Sequence, residues 1–175
     1  MLHNLLIYRL LLWNGLGIVG IVWAWTAGYA QYLERDTSGI SLAILALFGF
    51  GTAILFRRAI KVGRALNAIK RGNAPTVNPA KFAQKNTLID FISSACVTMG
   101  FIGTVAGIIT MLFGDAGVST DGSAESVKAL LTHILQGAGI AFITTAIGLI
   151  TSLWLDFQNQ MLRTATVSMI EDANA

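Results

Sequence analysis

The stretch Gly100–Ile108 reads GFIGTVAGI, with glycines at 100, 103 and 107 and Thr104 between them, inside an otherwise apolar run. In a soluble helix each such glycine costs about 1 kcal/mol relative to alanine. In a bilayer the same residues have a use, because small side chains let helix backbones approach closely. The stretch therefore reads as a membrane helix carrying a small, hydroxyl-bearing groove.

Composition supports that reading. Of 175 residues 54% are hydrophobic and only 12% charged, where a soluble domain carries about 25% charged residues. Four apolar runs, at 10–30, 40–56, 88–113 and 134–155, each approach the roughly 20 residues that a spanning helix requires. The run 40–56 is the shortest and contains Gly49 and Gly51, but basic residues follow it at once. The expected fold is an all-α membrane protein with four transmembrane helices, some extending into the cytoplasm.

Charge placement orients the chain. No acidic residue lies between Asp36 and Asp90, and the loop 57–87 carries Arg57, Arg58, Lys61, Arg64, Lys70, Arg71, Lys81 and Lys85. The outer connections hold Glu34, Asp36, Asp115, Asp121 and Glu125 against Arg35 and Lys128. By the positive-inside rule the loop 57–87 and both termini are cytoplasmic. Trp23, Trp25, Tyr29 and Tyr32 then form an outer aromatic belt and Trp154 an inner one. The pI of about 9.3 reports topology and contact with anionic lipid, not nucleic-acid binding. The first run is expected to remain as a span. TAGYAQ offers small residues for a signal cleavage, but the run is long and only His3 and Arg9 precede it as charge. The single cysteine, Cys96, excludes an internal disulfide and reads as a small buried apolar residue.

In RRAIKVGRALNAIKRG, Ala59, Val62, Leu66 and Ile69 share one helical face and Arg57, Lys61, Arg64 and Arg71 the other. Gly72 and NAP end that helix; Asn78 and Pro79 start another that runs into the third span. The basic face suits solvent and lipid headgroups, or a cytoplasmic partner.

Ser93, Cys96, Gly100, Gly103, Thr104, Gly107 and Met111 share one face of the third span. Gly137, Ala141, Thr144, Thr145, Gly148 and Ser152 do so in the fourth, continuing to Asp156 and Asn159 at the inner end. Two readings fit these stripes: close packing of helices, or the lining of a shared cavity whose hydroxyls meet water or a cation. No ionisable residue lies deep in a span: Asp90 and Asp156 are near the inner ends and His133 near the outer mouth. An ion path here takes its carboxylate from another chain.

MGFIGTVAGIITMLFG (Met99–Gly114), followed by GIAFITTAIGLITSLWLDFQNQ (Gly139–Gln160), resembles the MotA/TolQ/ExbB family of stator-type ion channels. The family pattern runs close to L-G-L-x-G-T-V-x-G-I-x-x-x-F in one span and A-L-x-x-T-A-x-G-L in the next. Matching residues are Gly100, Gly103, Thr104, Val105, Gly107, Ile108 and Phe113, then Thr145, Ala146, Gly148 and Leu149. The likeness covers about residues 88–160, and the four-span layout is nearer the MotA branch. It implies a homopentamer in the bacterial inner membrane around a dimer of MotB/TolR/ExbD-like single-span partners, each carrying an intramembrane aspartate. It implies no bound cofactor, only a transported proton or sodium ion that drives rotation or mechanical work. Thr104 and Thr145 match the pore-facing threonines, with Thr144 and Ser152 next along the pathway. Gly100, Gly103, Gly107, Gly137, Ala141 and Gly148 suit close helix packing and the approach of a partner. Asp90, Asp156 and Asn159 supply polar groups at the cytoplasmic end.

Three positions depart from the family pattern. Trp154 stands where the family has a proline after its G-L motif, so the kink a proline imposes is not expected. Ile140 stands where TolQ-like members carry a glutamate. The cytoplasmic segment is also far shorter than the domain MotA turns toward a flagellar rotor, so torque is expected to reach a partner's periplasmic domain or another specialised system. A non-conducting membrane scaffold using the grooves only for assembly is the main alternative. A four-span exporter of cationic drugs lacks its embedded carboxylate. No metal-ligand spacing, nucleophile–base pair or phosphate loop points to an enzyme.

Overall fold

The computed structural model describes residues 2–28, 39–70, 79–113 and 123–174, and each apolar run, so far as it is described, falls in one helix. The helices are α1 (Leu2–Thr26), α2 (Ile40–Lys70), α3 (Pro79–Phe113) and α4 (Ala124–Asn174), with no strand among the described residues. Three helices contain stretches long and apolar enough to cross a membrane: Ile40–Ala65, Thr87–Phe113 and Ala124–Val167. The chain is accordingly an all-helical membrane protein. The expected first span continues through Tyr29 and Ala30, which lie outside the described residues. So do Trp25's side chain, Tyr32, the outer acidic residues Glu34, Asp36, Asp115 and Asp121, and the helix boundary at Gly72, NAP and Asn78.

Local signals set the helix ends. Gly28 follows α1 at φ 85°, a left-handed conformation that ends a helix without a Cβ clash. At the start of α4, Ser123 Oγ accepts from the Ser126 amide at 3.2 Å, and Glu125 stands in the first turn. Pro79 opens α3, where a missing amide proton leaves no helical bond unmade.

The helices outrun the bilayer. The 51 residues of α4 span about 75 Å, more than twice the hydrocarbon thickness of about 30 Å. The helix α2 likewise passes residue 56, the expected end of its span, without a break. Past that point Ala59 and Val62 are buried while Arg57, Lys61 and Arg64 are exposed, as the periodicity requires; the side chains of Leu66, Ile69, Lys81 and Lys85 lie outside the described residues.

All four helices meet in one apolar core formed by Leu10, Ile44, Leu55, Ala59, Val62, Ile89, Ile92, Cys96, Leu155 and Leu162. Most of it lies toward the Arg57–Arg64 end of α2. Beyond it, α3 and α4 continue to pack against each other as an antiparallel pair. The backs of that pair, including Phe101, Val105, Ile109, Phe142 and Leu153, are exposed, as apolar surface facing lipid or another subunit must be.

Candidate functional site

The two small-residue stripes press against each other. A Cβ on Gly107 would lie 2.6 Å from the Ala141 amide nitrogen and 2.6 Å from the Gly137 carbonyl oxygen. One on Gly148 would lie 2.7 Å from the Cys96 carbonyl oxygen, and one on Gly137 would lie 2.7 Å from that of Gly107. Gly103 faces the Thr144 side chain directly, and Gly100 lies against the Thr145 and Gly148 backbone. Each glycine is thus replaced in space by a backbone or side chain of the facing helix. The stripes form a closed seam within the chain instead of lining a cavity between them.

Thr144 belongs to the inside of that seam. It is 0% exposed, and its hydroxyl donates within its own helix to Ile140 O at 2.9 Å and toward Ala141 O at 3.2 Å. Ser152 is also buried; its hydroxyl pairs with that of Ser93 at 2.8 Å. Ala141 is 6% exposed and packed on Gly107.

Thr104 and Thr145 sit at the rim. Both are half-buried, and their hydroxyls are hydrogen-bonded to each other across the helix pair. The remaining hydroxyl proton is taken by a carbonyl: Gly100 O lies 3.2 Å from Thr104 Oγ1 and 3.4 Å from Thr145 Oγ1, with Ala141 O 2.9 Å from the latter. The pair needs both close backbones, since a side chain at Gly100 or Gly148 would push the helices apart. The glycines set the distance, and the threonines use it.

Polar residues close both ends of the seam. At the C-terminal end of α3 the His133 Nε2–H donates to Thr110 O at 2.7 Å, satisfying one of the last four carbonyls of α3. At the opposite end Asn159 Nδ2 donates to Asp90 Oδ1 at 2.8 Å, and Arg163 forms a salt bridge with Asp90 Oδ2. Asp90 and Thr110 stand 20 residues apart on α3, or about 30 Å, which matches the hydrocarbon thickness. Asp156 is exposed on α4 above Asn159.

Trp154, which stands where a proline was the family expectation, points to α1. Its ring meets Trp13 edge-on with centroids 5.7 Å apart, and a Cβ on Gly17 would come within 2.9 Å of it. One turn on, Gln158 is 1% exposed and donates to Asn14 Oδ1 at 3.2 Å. Arg163, Asn14 and Gln158 are not among the site residues expected from the sequence. The seven-residue recurrence of Thr145, Ser152 and Asn159, with Arg163 four residues further, was the available signal for the inner cluster.

The arrangement offers no metal-binding group of three or more His, Cys, Asp or Glu among the described residues. It offers instead paired hydroxyls on a helix flank between two polar ends. Searches of curated proteins and of solved structures give no match. The model of the MotA/TolQ/ExbB proton channel family matches residues 64–173, well over half of the chain and all of the seam. This chain, with its glycine seam and rim threonines, belongs to the MotA/TolQ/ExbB proton channel family.

Proposed function

We propose that this chain is the channel subunit of an ion-driven stator. In this reading it crosses the membrane four times with both ends inside, and five copies surround a dimer of single-span partner helices. The rim pair Thr104–Thr145 carries the reading: two half-exposed hydroxyls at mid-depth on a flank where this chain places no carboxylate at that depth. A partner aspartate facing that flank supplies the titrating group, and the hydroxyls solvate the proton or sodium ion that leaves it. The buried Thr144 and Ser152 keep the two helices in register behind the path. The six small seam residues, from Gly100 to Gly148, hold the pair together, so the partner approaches the rim and not the seam. Each proton driven inward at 100 mV releases about 2.3 kcal/mol, so a substantial mechanical step uses several.

The test is the complex extracted in mild detergent from cells that co-express the chain with its neighbouring genes. Native mass spectrometry is expected to give five copies with two of a single-span protein. In proteoliposomes, Thr104→Val and Thr145→Val are each expected to lower proton flux about tenfold, near 1.4 kcal/mol of barrier, while leaving that assembly intact. Undiminished flux from the double variant would remove the threonines from the path. A complex of this stoichiometry that conducts nothing would mark the chain as a scaffold.

A further inference from the structure

Three hydrogen-bonded rungs join α3 to α4 from mid-depth to the Asp90 end: Thr104 with Thr145, Ser93 with Ser152, and Asp90 with Asn159. On α4 the rungs recur every seven residues, about 10 Å of axial rise. On α3, Asp90 lies fourteen residues before Thr104, nearly four whole turns; Arg163 lies eighteen after Thr145, five whole turns. Asp90 and Arg163 therefore stand on the same flank of the helix pair as the rim threonines, about 21 to 27 Å closer to the cytoplasm.

The inner rung differs from the other two in being charged, half-exposed and incompletely paired. Asp90 and Arg163 have side chains 46% and 41% exposed. Asn159 is 2% exposed, and its Oδ1 has no protein partner; the same holds for the buried Nε–H of Arg163. A free acceptor and a free donor, both buried and both on side chains that hold one carboxylate, suit a water molecule that accepts from one and donates to the other. The charges that act on Asp90 are Arg163 from α4 and Arg58 from α2, with the exposed Asp156 on α4 nearby.

We propose that the Asp90–Asn159–Arg163 cluster is the cytoplasmic proton-release site of the channel. This rests on the channel reading above. A proton arriving on water down the flank adds to an Asp90 oxygen, and the salt bridge to Arg163 opens as the carboxylate becomes neutral. As the guanidinium returns to the Asp90 oxygen, the O–H bond breaks and the proton passes to cytoplasmic water. Asn159 holds the carboxylate in place throughout, through its Nδ2–H. One proton enters and one leaves, and nothing else is consumed.

The test is proton flux through the co-purified complex in vesicles containing a pH-sensitive dye. Asp90→Asn is close in shape and is expected to reduce flux about a hundredfold, the range for a positioned proton-transfer group. Asp90→Glu keeps the carboxylate and is expected to retain most of the flux. Arg163→Gln leaves the Asp90 carboxylate in place, keeps a polar side chain beside it, and is expected to slow release about fivefold or more. Flux within twofold of the unsubstituted complex for either Asp90→Asn or Arg163→Gln overturns the release site while leaving the channel intact. Absence of flux from the unsubstituted complex overturns the channel reading itself and this site with it.

Discussion

At the residue scale, glycines of one type fall into two physical classes. Gly107 has no room for a Cβ, because the Ala141 amide and the Gly137 carbonyl oxygen occupy it at 2.6 Å. Gly49 has nothing within 4 Å of the same position. Gly107→Ala must push α3 and α4 away from each other along their longest contact and is expected to cost about 1–3 kcal/mol, as overpacking does. Gly49→Ala is expected to be neutral or to stabilise by up to about 1 kcal/mol through helix propensity. Unfolding of the two variants in detergent measures both, and equal effects would contradict the seam. The same distinction separates adjacent threonines. Thr144 is fully enclosed against Gly103, while Thr145 reaches the rim and meets Thr104. Two hydroxyls one residue apart thus face different surroundings, one sealed in the seam and one open at its rim.

At the element scale, the first helix is tied to the fourth by two aromatic ring contacts and a polar one. Trp154 packs on Trp13 and Gly17, Phe157 meets Trp13 at 4.7 Å, and Gln158 donates to Asn14. Where a proline would bend α4, this chain keeps it straight enough to run 51 residues and places a large ring against α1. Trp154→Ala is expected to destabilise the docking of α1 by about 2 kcal/mol, less than the 3–5 of a fully buried ring because Trp154 is half-buried. Asn14→Leu is expected to cost only about 0.6 kcal/mol, the usual size of a hydrogen bond between membrane helices. Protease accessibility of α1 in vesicles reads both. If Trp154→Ala leaves it unchanged, α1 is held elsewhere.

At the scale of the whole molecule, the core and the seam divide the work. The four-helix core, rich in Ile, Leu and Val, sits toward the basic end of α2, where Arg57, Lys61 and Arg64 face out, and the C-terminal half of α4. The outer half depends on the α3–α4 pair, with large apolar backs left exposed for lipid or neighbouring subunits. Orientation is testable on the buried Cys96 background, since Cys96 is 0% exposed and substitutable by alanine at small volume cost. With Cys96→Ala in place, a cysteine at Ser123 is expected to react with an impermeant thiol reagent outside intact cells, and one at Lys61 only after permeabilisation. The reverse pattern would invert the topology and move Asp90 to the outer mouth.

The sequence alone determined the helices, their order and the family, because these depend on information local to each segment. Hydrophobic length marks a span, basic runs mark a cytoplasmic end, and the spacing of Gly100, Gly103, Thr104 and Gly107 marks a narrow helix face. Periodicity also assigned Ala59 and Val62 to a buried face and Arg57, Lys61 and Arg64 to the opposite one. Periodicity cannot say what a face meets. Packing and cavity-lining faces have the same composition, and only the tertiary structure decided that the two small stripes fill each other. That choice follows from backbone approach: a facing carbonyl or amide lies only 2.6–2.7 Å from where a Cβ on the glycine would stand, which leaves no volume for water. It also placed Thr144 inside and Thr145 at the rim, a difference of one residue and about 100° of rotation. The inner cluster needed the fold for the same reason. Asp90 lies sixty-nine residues from Asn159 and seventy-three from Arg163, and only the antiparallel register of α3 and α4 brings one carboxylate against both.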